Sequence, residues 1–217
     1  MIKINIPSKD ELCITGLSDP ARFYYHPILK YPFLKRLELL SNLFSRKGSS
    51  VLDIGYGSGI FFLELSNRFN KLFGIDLHDR HDTVEKMLTQ HDIAANLITA
   101  DVSNIPYPNN TFDCVFSLST LEHVNDLPKA LREICRVLKD SGEAILGFPS
   151  DNLIMRLLHY VFDSTSYSDL HISDEKRIIN EIKNVFKIEK LLTFPFIFPP
   201  RLAFYIGCRC IKKNLER

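Results

Sequence analysis

The chain has 217 residues, 45% hydrophobic and 24% charged, with 27 Lys and Arg against 26 Asp and Glu. That length suits one domain whose core needs no disulfide or metal staples, and the near-zero charge balance excludes a uniformly basic nucleic-acid binder. The N-terminal Met1-Ile-Lys-Ile-Asn-Ile-Pro-Ser-Lys-Asp10 lacks the apolar core of a signal peptide, and no run of about 18 apolar residues predicts an integral membrane segment.

In chain order, residues 1–48 differ from the rest. Phe23-Tyr-Tyr-His26, Pro27 and Pro32 interrupt a helical pattern that reaches Phe44. This segment is expected either to pack as an N-terminal helix or to cover a ligand crevice. From about residue 50, short apolar runs alternate with helical patterns, which predicts βα units around a mostly parallel sheet. The predicted strands are residues 51–54, 72–75, 97–100, 114–118 and 144–148. Phe61, Phe62, Leu65 and Phe69 recur at helical spacing after the first strand. Asp126 is the expected N-cap of a helix whose apolar stripe is Ala130, Leu131, Ile134, Cys135 and Leu138. Asp140-Ser-Gly142 is expected to turn the chain into the fifth strand. A further amphipathic helix is predicted over residues 152–162, and another after a Ser173 cap, with Asp174 and Glu175 in its first turn. Two last apolar runs, 186–194 and 203–211, suit a terminal hairpin-like pair. The stretch 194–204 reads as a buried strand and its exit, with peripheral membrane contact as the alternative.

The five cysteines, Cys13, Cys114, Cys135, Cys208 and Cys210, contain no CxxC pair, and their odd number argues against a disulfide framework. A reduced, cytoplasmic protein is expected. No HxxxH pair occurs among the seven histidines, so no metal site is predicted.

The densest chemical signal is Val51-Leu-Asp-Ile-Gly-Tyr-Gly-Ser-Gly-Ile60, a strand running into three alternate glycines and then a helix. Glycines allow a sharp turn and a close ligand approach, and a helix N-terminus offers unpaired N–H groups. Asp76 follows Gly55 by 21 residues, at the end of the second strand, and Asp101 ends the third. Carboxyl ends of parallel strands are where open α/β sheets bind ligands, and a carboxylate there can accept ribose hydroxyls. Asp53 stands just before the glycines. It would repel a pyrophosphate but suits a cationic amino group. Asp76 suits a ribose, and Asp101 an adenine amino donor. A nucleoside with a zwitterionic amino-acid tail and no phosphate fits all three, which is S-adenosylmethionine.

The sequence then resembles the class I S-adenosylmethionine-dependent methyltransferases, of the small-molecule type grouped with ubiquinone and menaquinone methylases. The resemblance rests on residues 51–59, Phe73-Gly-Ile-Asp76, Ala100-Asp-Val102, Ile105-Pro106, Phe112-Asp-Cys-Val-Phe-Ser117, Leu121-Glu-His-Val124 and Ala130-Leu-Arg-Glu-Ile-Cys-Arg-Val-Leu-Lys139. It covers about residues 45–150 well and the rest loosely. It implies a Rossmann-like α/β fold: a doubly wound seven-stranded, mostly parallel sheet with an antiparallel last strand and helices on both faces. In a single domain, residues 1–48 would form a helical cap and 49–150 the cofactor-binding core. Residues 151–217 would supply a lid helix, a C-terminal helix and the last two strands.

The resemblance also implies roles. Gly55, Gly57 and Gly59 would flank the methionine moiety, with Asp53 and Ser117 near its amino end. Asp76 would hold the ribose hydroxyls, Leu77 would lie against the adenine, and Asp101 and the Val102 N–H would face the adenine amino edge. Tyr56 replaces the usual small residue in the loop and would line or crowd the crevice. The implied reaction is in-line methyl transfer to a small, partly apolar acceptor, in which the protein aligns the reactants and excludes water. A base is needed only for a protonated acceptor, with His123 and His171 the candidates. Acceptor contacts are expected from residues 15–45 and 150–172. Two other readings stay open at this point: a nicotinamide-dependent oxidoreductase, and a non-catalytic cofactor-binding relative.

Overall fold

The structure, a computed structural model, describes residues 4–12, 14–15, 20–150, 172–196 and 198–213. The predicted helix over 152–162, most of the lid, His171 and Cys13 lie outside the described residues. Seven strands form one sheet: β1 (Gly48–Ile54), β2 (Phe69–Asp76), β3 (Ala95–Thr99), β4 (Phe112–Leu118), β5 (Leu138–Pro149), β6 (Phe186–Phe194) and β7 (Tyr205–Lys212). Their spatial order is β3-β2-β1-β4-β5-β7-β6. The first five pair in parallel, and β7 runs antiparallel to both β5 and β6. The chain winds outward from β1 to β3 and then returns to the other side of β1. The carboxyl ends of β1 and β4 therefore flank a switch point, where such sheets open a crevice.

Helices α1 (Lys30–Ser41), α2 (Phe62–Leu65), α3 (His81–Gln90), α4 (Leu127–Val137) and α5 (Glu175–Val185) cover the two faces. On one face Leu131 and Ile134 of α4 and Ile178 and Ile182 of α5 pack on Leu52, Val115 and Cys208. On the other, Leu37 and Leu40 of α1, Phe62 of α2 and Val84 of α3 pack on Val51, Leu72 and Phe116. The alternation of Val51 and Leu52 between the two layers follows from the strand period of two.

Local chemistry sets the element ends. Asp126 caps α4 as predicted, accepting from Lys129 N–H at 3.1 Å. The last helix differs: Asp174, not Ser173, is its N-cap and accepts from Arg177 N–H at 2.8 Å. The helical spacing from Phe61 to Phe69 does not make one helix. Ser66 and Asn67 side chains donate back to Leu63 O, α2 stops, and Phe69 opens β2. Asp140-Ser-Gly142 is not a turn into a new strand either. It lies within β5, in a register shift that pairs Phe112 with Leu138 and Cys114 with Glu143. Cys208 and Cys210 are buried in β7, and burial pushes the Cys208 thiol up to about 12, which makes both packing residues.

The N-terminal segment lies on the sheet through α1, preceded by a 3-10 helix, Pro20–Tyr25. The close approach needs glycine beneath it. A Cβ on Gly207 of β7 would lie 2.4 Å from Leu39 Cδ2, and one on Gly147 of β5 2.6 Å from Leu40 Cδ1. Gly207→Ala is expected to push α1 off the sheet and destabilise the chain by about 1–3 kcal/mol, as overpacking does. Urea unfolding with an unchanged midpoint would show that α1 does not dock there.

Candidate functional site

β1 ends at Ile54, and the Gly55 N–H adds one bond to Ile75 O at 2.8 Å. Three left-handed steps follow, Gly55 at φ 70°, Gly57 at 51° and Gly59 at 75°. Glycine alone adopts them freely. Space demands glycine as well: a Cβ on Gly55 would lie 2.1 Å from Thr120 Oγ1, and one on Gly59 2.6 Å from Val84 Cγ1. The helix expected right after the glycines begins only at Phe62 and has 4 residues. Its first N–H turns back onto Gly59 O at 3.1 Å. The loop therefore lacks the ready helix terminus that a pyrophosphate would use, and nothing in it favours the oxidoreductase alternative.

Asp76 closes the loop from β2. Its Oδ2 accepts from Gly57 N–H at 2.8 Å, and its Oδ1 accepts from Leu77 N–H at 2.7 Å and from His78 N–H at 3.3 Å. His78, which the sequence pattern did not single out, takes the other side of Gly57. Arg80 N–H donates to its Nδ1 at 3.1 Å, which assigns the ring hydrogen to Nε2; that nitrogen donates to Gly57 O at 3.0 Å. A second histidine braces the layer below. Thr99 Oγ1 donates to His78 O at 3.1 Å, His81 Nε2–H to Thr99 Oγ1 at 3.1 Å, and Tyr56 O–H to His81 Nδ1 at 3.0 Å. The Tyr56 ring is buried against Phe62 and Gly74, where a Cβ would lie 2.7 Å from its Cδ1.

The other expected residues occupy the same rim. Asp53 sits between Gly74 of β2 and Phe116 of β4, is 2% exposed, and leaves Oδ1 without a hydrogen-bond partner. Burial, and the nearby Asp76 charge, push its pKa well above the usual carboxylate range. Ser117 is fully buried and donates to Ile54 O at 3.3 Å; Thr120 Oγ1 donates to the same oxygen at 3.1 Å. Leu77 is 74% exposed, an apolar side chain left in the open next to Asp76. Asp101 is exposed beyond β3 and caps the short Val102–Asn104 helix through Ser103 N–H at 2.7 Å, with Val102 buried behind it. His123 ends the Leu121–His123 turn, with Nε2 3.9 Å from Glu122 Oε1. Glu122 is 2% exposed, burial raises its pKa, and its Oε2 has no partner. Among the described residues no group of His, Cys, Asp and Glu is arranged to hold a metal, and no helix is long and apolar enough to cross a membrane.

The Asp53 carboxyl has a consequence for stability. The folded chain holds this proton more tightly than the unfolded chain does. Its contribution is therefore complete below the ordinary Asp pKa of about 4 and is lost as pH rises toward the raised folded value. Relative to Asp53→Asn, the ligand-free protein is expected to lose stability as pH rises above about 4, by at most about 1.4 kcal/mol per pH unit. Parallel denaturant titrations of the two proteins check this; a pH-independent difference would contradict it.

Comparison with known proteins agrees with this geometry. Residues 52–146 match the family description "Methyltransferase domain". The ubiquinone/menaquinone biosynthesis C-methyltransferase UbiE of Cronobacter sakazakii is 33% identical over 132 residues, 56% of this chain and 51% of that protein. The chain spans about half the length of the curated relatives it matches. The crystal structure of the PH0226 protein from Pyrococcus horikoshii superimposes with a TM-score of 0.69 at 19% identity, covering 91% of this chain and 100% of that one. The N-methyltransferase NodS from Bradyrhizobium japonicum, in complex with S-adenosylhomocysteine, gives a TM-score of 0.68 at 16% identity over 93% of this chain and 95% of that one. At such identities the structures establish the fold, and it is the seven-stranded sheet with a single reversed strand. Residues 52–146 thus match a methyltransferase domain, and the described sheet shares its fold with the N-methyltransferase NodS.

Proposed function

We propose that the rim of β1, β2 and β4 binds S-adenosylmethionine and directs its methyl group to a small, partly apolar acceptor. The observation that carries this reading is the Asp53 carboxyl, buried with Oδ1 unpartnered beside a loop stripped of side chains. A buried carboxyl without a partner is costly, and an ammonium group brought to it would supply the missing partner. Gly55, Gly57 and Gly59 would leave room for the methionine moiety, with Ser117 near its amino end. Asp76 Oδ1 already accepts from Leu77 and His78, but Oδ2 keeps acceptor capacity beyond its one backbone bond, enough for a ribose hydroxyl. Leu77 would cover the adenine, and Asp101 and the Val102 N–H would meet its amino edge. Tyr56 would serve through its backbone in the loop, since its ring is engaged by His81.

The sulfonium supplies an activated carbon and a neutral leaving group. The chain's own contribution is alignment and exclusion of water. His78 is a positioning residue in this reading, because it holds the Gly57 carbonyl while Asp76 holds the Gly57 N–H. His123, beside Glu122, would take a proton from a protonated acceptor in this reading. His171 lies outside the described residues. The relatives' names specify a carbon and a nitrogen as methylated atoms, so the acceptor of this chain has to be read from its own rim.

Asp76→Ala is expected to weaken S-adenosylhomocysteine binding roughly 10- to 150-fold, the loss of hydrogen bonds to a charged group worth about 1.5–3 kcal/mol. Calorimetry that gives wild-type affinity for the folded variant would remove the ribose assignment. His78→Leu should cost about 2- to 12-fold in the same titration, the range of one neutral hydrogen bond. His78→Gln, which keeps a donor within reach of Gly57, should restore most of it. Equal affinities for the Leu and Gln variants would show that the bond to Gly57 plays no part.

A further inference from the structure

One strand beyond the cofactor crevice, a second polar cluster lies over the carboxyl ends of β4 and β5. Arg36 reaches it from α1 and is 8% exposed. Its Nε and Nη2 donate to the Tyr24 hydroxyl at 3.0 and 2.6 Å, and Nη1 donates to Ser119 Oγ at 3.3 Å. The guanidinium lies 4.4 Å from the Phe33 ring centre, 5.1 Å from that of Tyr24 and 5.9 Å from that of Tyr205. Ser119 directly follows β4, at φ 56°, and its Oγ meets the Tyr205 hydroxyl at 3.0 Å. Thr120, the next residue, is the one that presses on Gly55. The cluster is thus joined to the glycine loop through two consecutive residues.

The charges in this cluster do not balance. Among the described residues, no carboxylate lies within ion-pair distance of Arg36. Hydroxyl oxygens and ring faces soften the burial of a guanidinium, but they carry no counter-charge. Three of its five N–H donors are engaged, leaving two. Glu122 senses Arg36 electrostatically, yet burial raises its pKa and Oε2 is unpartnered. Burial likewise holds Tyr205 as the phenol. The cluster is rich in donors, and no carboxylate of the described residues pairs with its positive charge.

Resting on the methyl-transfer reading of the rim, we propose that Arg36, Ser119, Tyr205 and Glu122 form the acceptor subsite, and that the acceptor carries a carboxylate on an apolar body. The carboxylate supplies the counter-charge that Arg36 lacks, and the half-buried Phe33 ring gives its apolar part a surface. Such a ligand would lie next to Thr120, the residue that presses on Gly55 of the glycine loop. Arg36 is a specificity-determining residue in this account; it takes no part in the bond exchange.

The test titrates wild-type protein, loaded with S-adenosylhomocysteine, with matched acid and amide probes: acetate and acetamide, benzoate and benzamide, octanoate and octanamide. At least one acid is expected to bind about tenfold or more tightly than its amide. Arg36→Met should erase that preference, and Arg36→Lys should keep part of it. Both variants should bind S-adenosylhomocysteine within about twofold of wild type. If no acid outbinds its amide, or if the preference survives in folded Arg36→Met, Arg36 is only a tether for α1 and the proposal is overturned. Should Arg36→Met fail to fold, Tyr205→Phe decides: a reduced acid preference supports the subsite, and an unchanged one overturns it. Wild-type protein that does not bind S-adenosylhomocysteine defeats the cofactor reading; S-adenosylhomocysteine binding without acid preference defeats this one.

Discussion

The site depends on how one residue of the glycine loop is held. Gly57 is gripped from both sides, its N–H by Asp76 and its carbonyl by His78. Both residues lie at or just past the end of β2, so the position of the glycine loop is referred to the sheet itself. The left-handed backbone at Gly55, Gly57 and Gly59 would otherwise be one of many conformations open to glycine. The Tyr56–His81–Thr99 chain extends the same bracing to α3 and the end of β3. The loop is shaped before a ligand arrives, which limits the ordering that binding must impose.

Asp53 shows how function and stability oppose each other at this rim. The carboxyl is buried between β2 and β4 with one oxygen unpartnered, an arrangement that weakens the ligand-free fold as pH rises above the ordinary Asp range. Glu122 repeats the pattern on the β4 side. The buried Glu64, away from the rim, is satisfied: Ser41 donates to it, and Arg68 reaches the same carboxylate at 2.8 Å. Unsatisfied buried carboxyls gathered at the carboxyl ends of the strands mark the surface where a ligand completes the structure.

Much of this was legible in the sequence, for physical reasons that can be named. Buried parallel strands read as short apolar runs, so the cores of β1, β2 and β4 stood out, as did Asp126 as the cap of α4. Asp53, Asp76 and the three glycines were legible because turn chemistry and strand ends are local. What escaped depends on distant partners. Arg36 meets Ser119 across 83 positions, and His78 reads as an ordinary loop histidine until the fold brings it to Gly57. The Phe61-to-Phe69 spacing misled because residues on either side of a helix end can share one buried layer whatever their backbone. Tyr56 read as a residue standing in the crevice, yet its ring is drawn beneath the loop by Gly74 and His81. The acidic run at Asp140 read as a turn because a bulge inside a strand uses the same residue types as a turn.

The central claim is that the buried Asp53 carboxyl awaits the ammonium of an adenosyl amino acid. Calorimetric titration of S-adenosylhomocysteine across a series of pH values above about 4, repeated in buffers of different ionisation enthalpy, reads that directly. The account expects one binding site and net proton release, because the incoming ammonium favours the ionised carboxyl. Proton release should disappear in Asp53→Asn. Absence of binding, or binding without proton release from the wild-type protein, would contradict it.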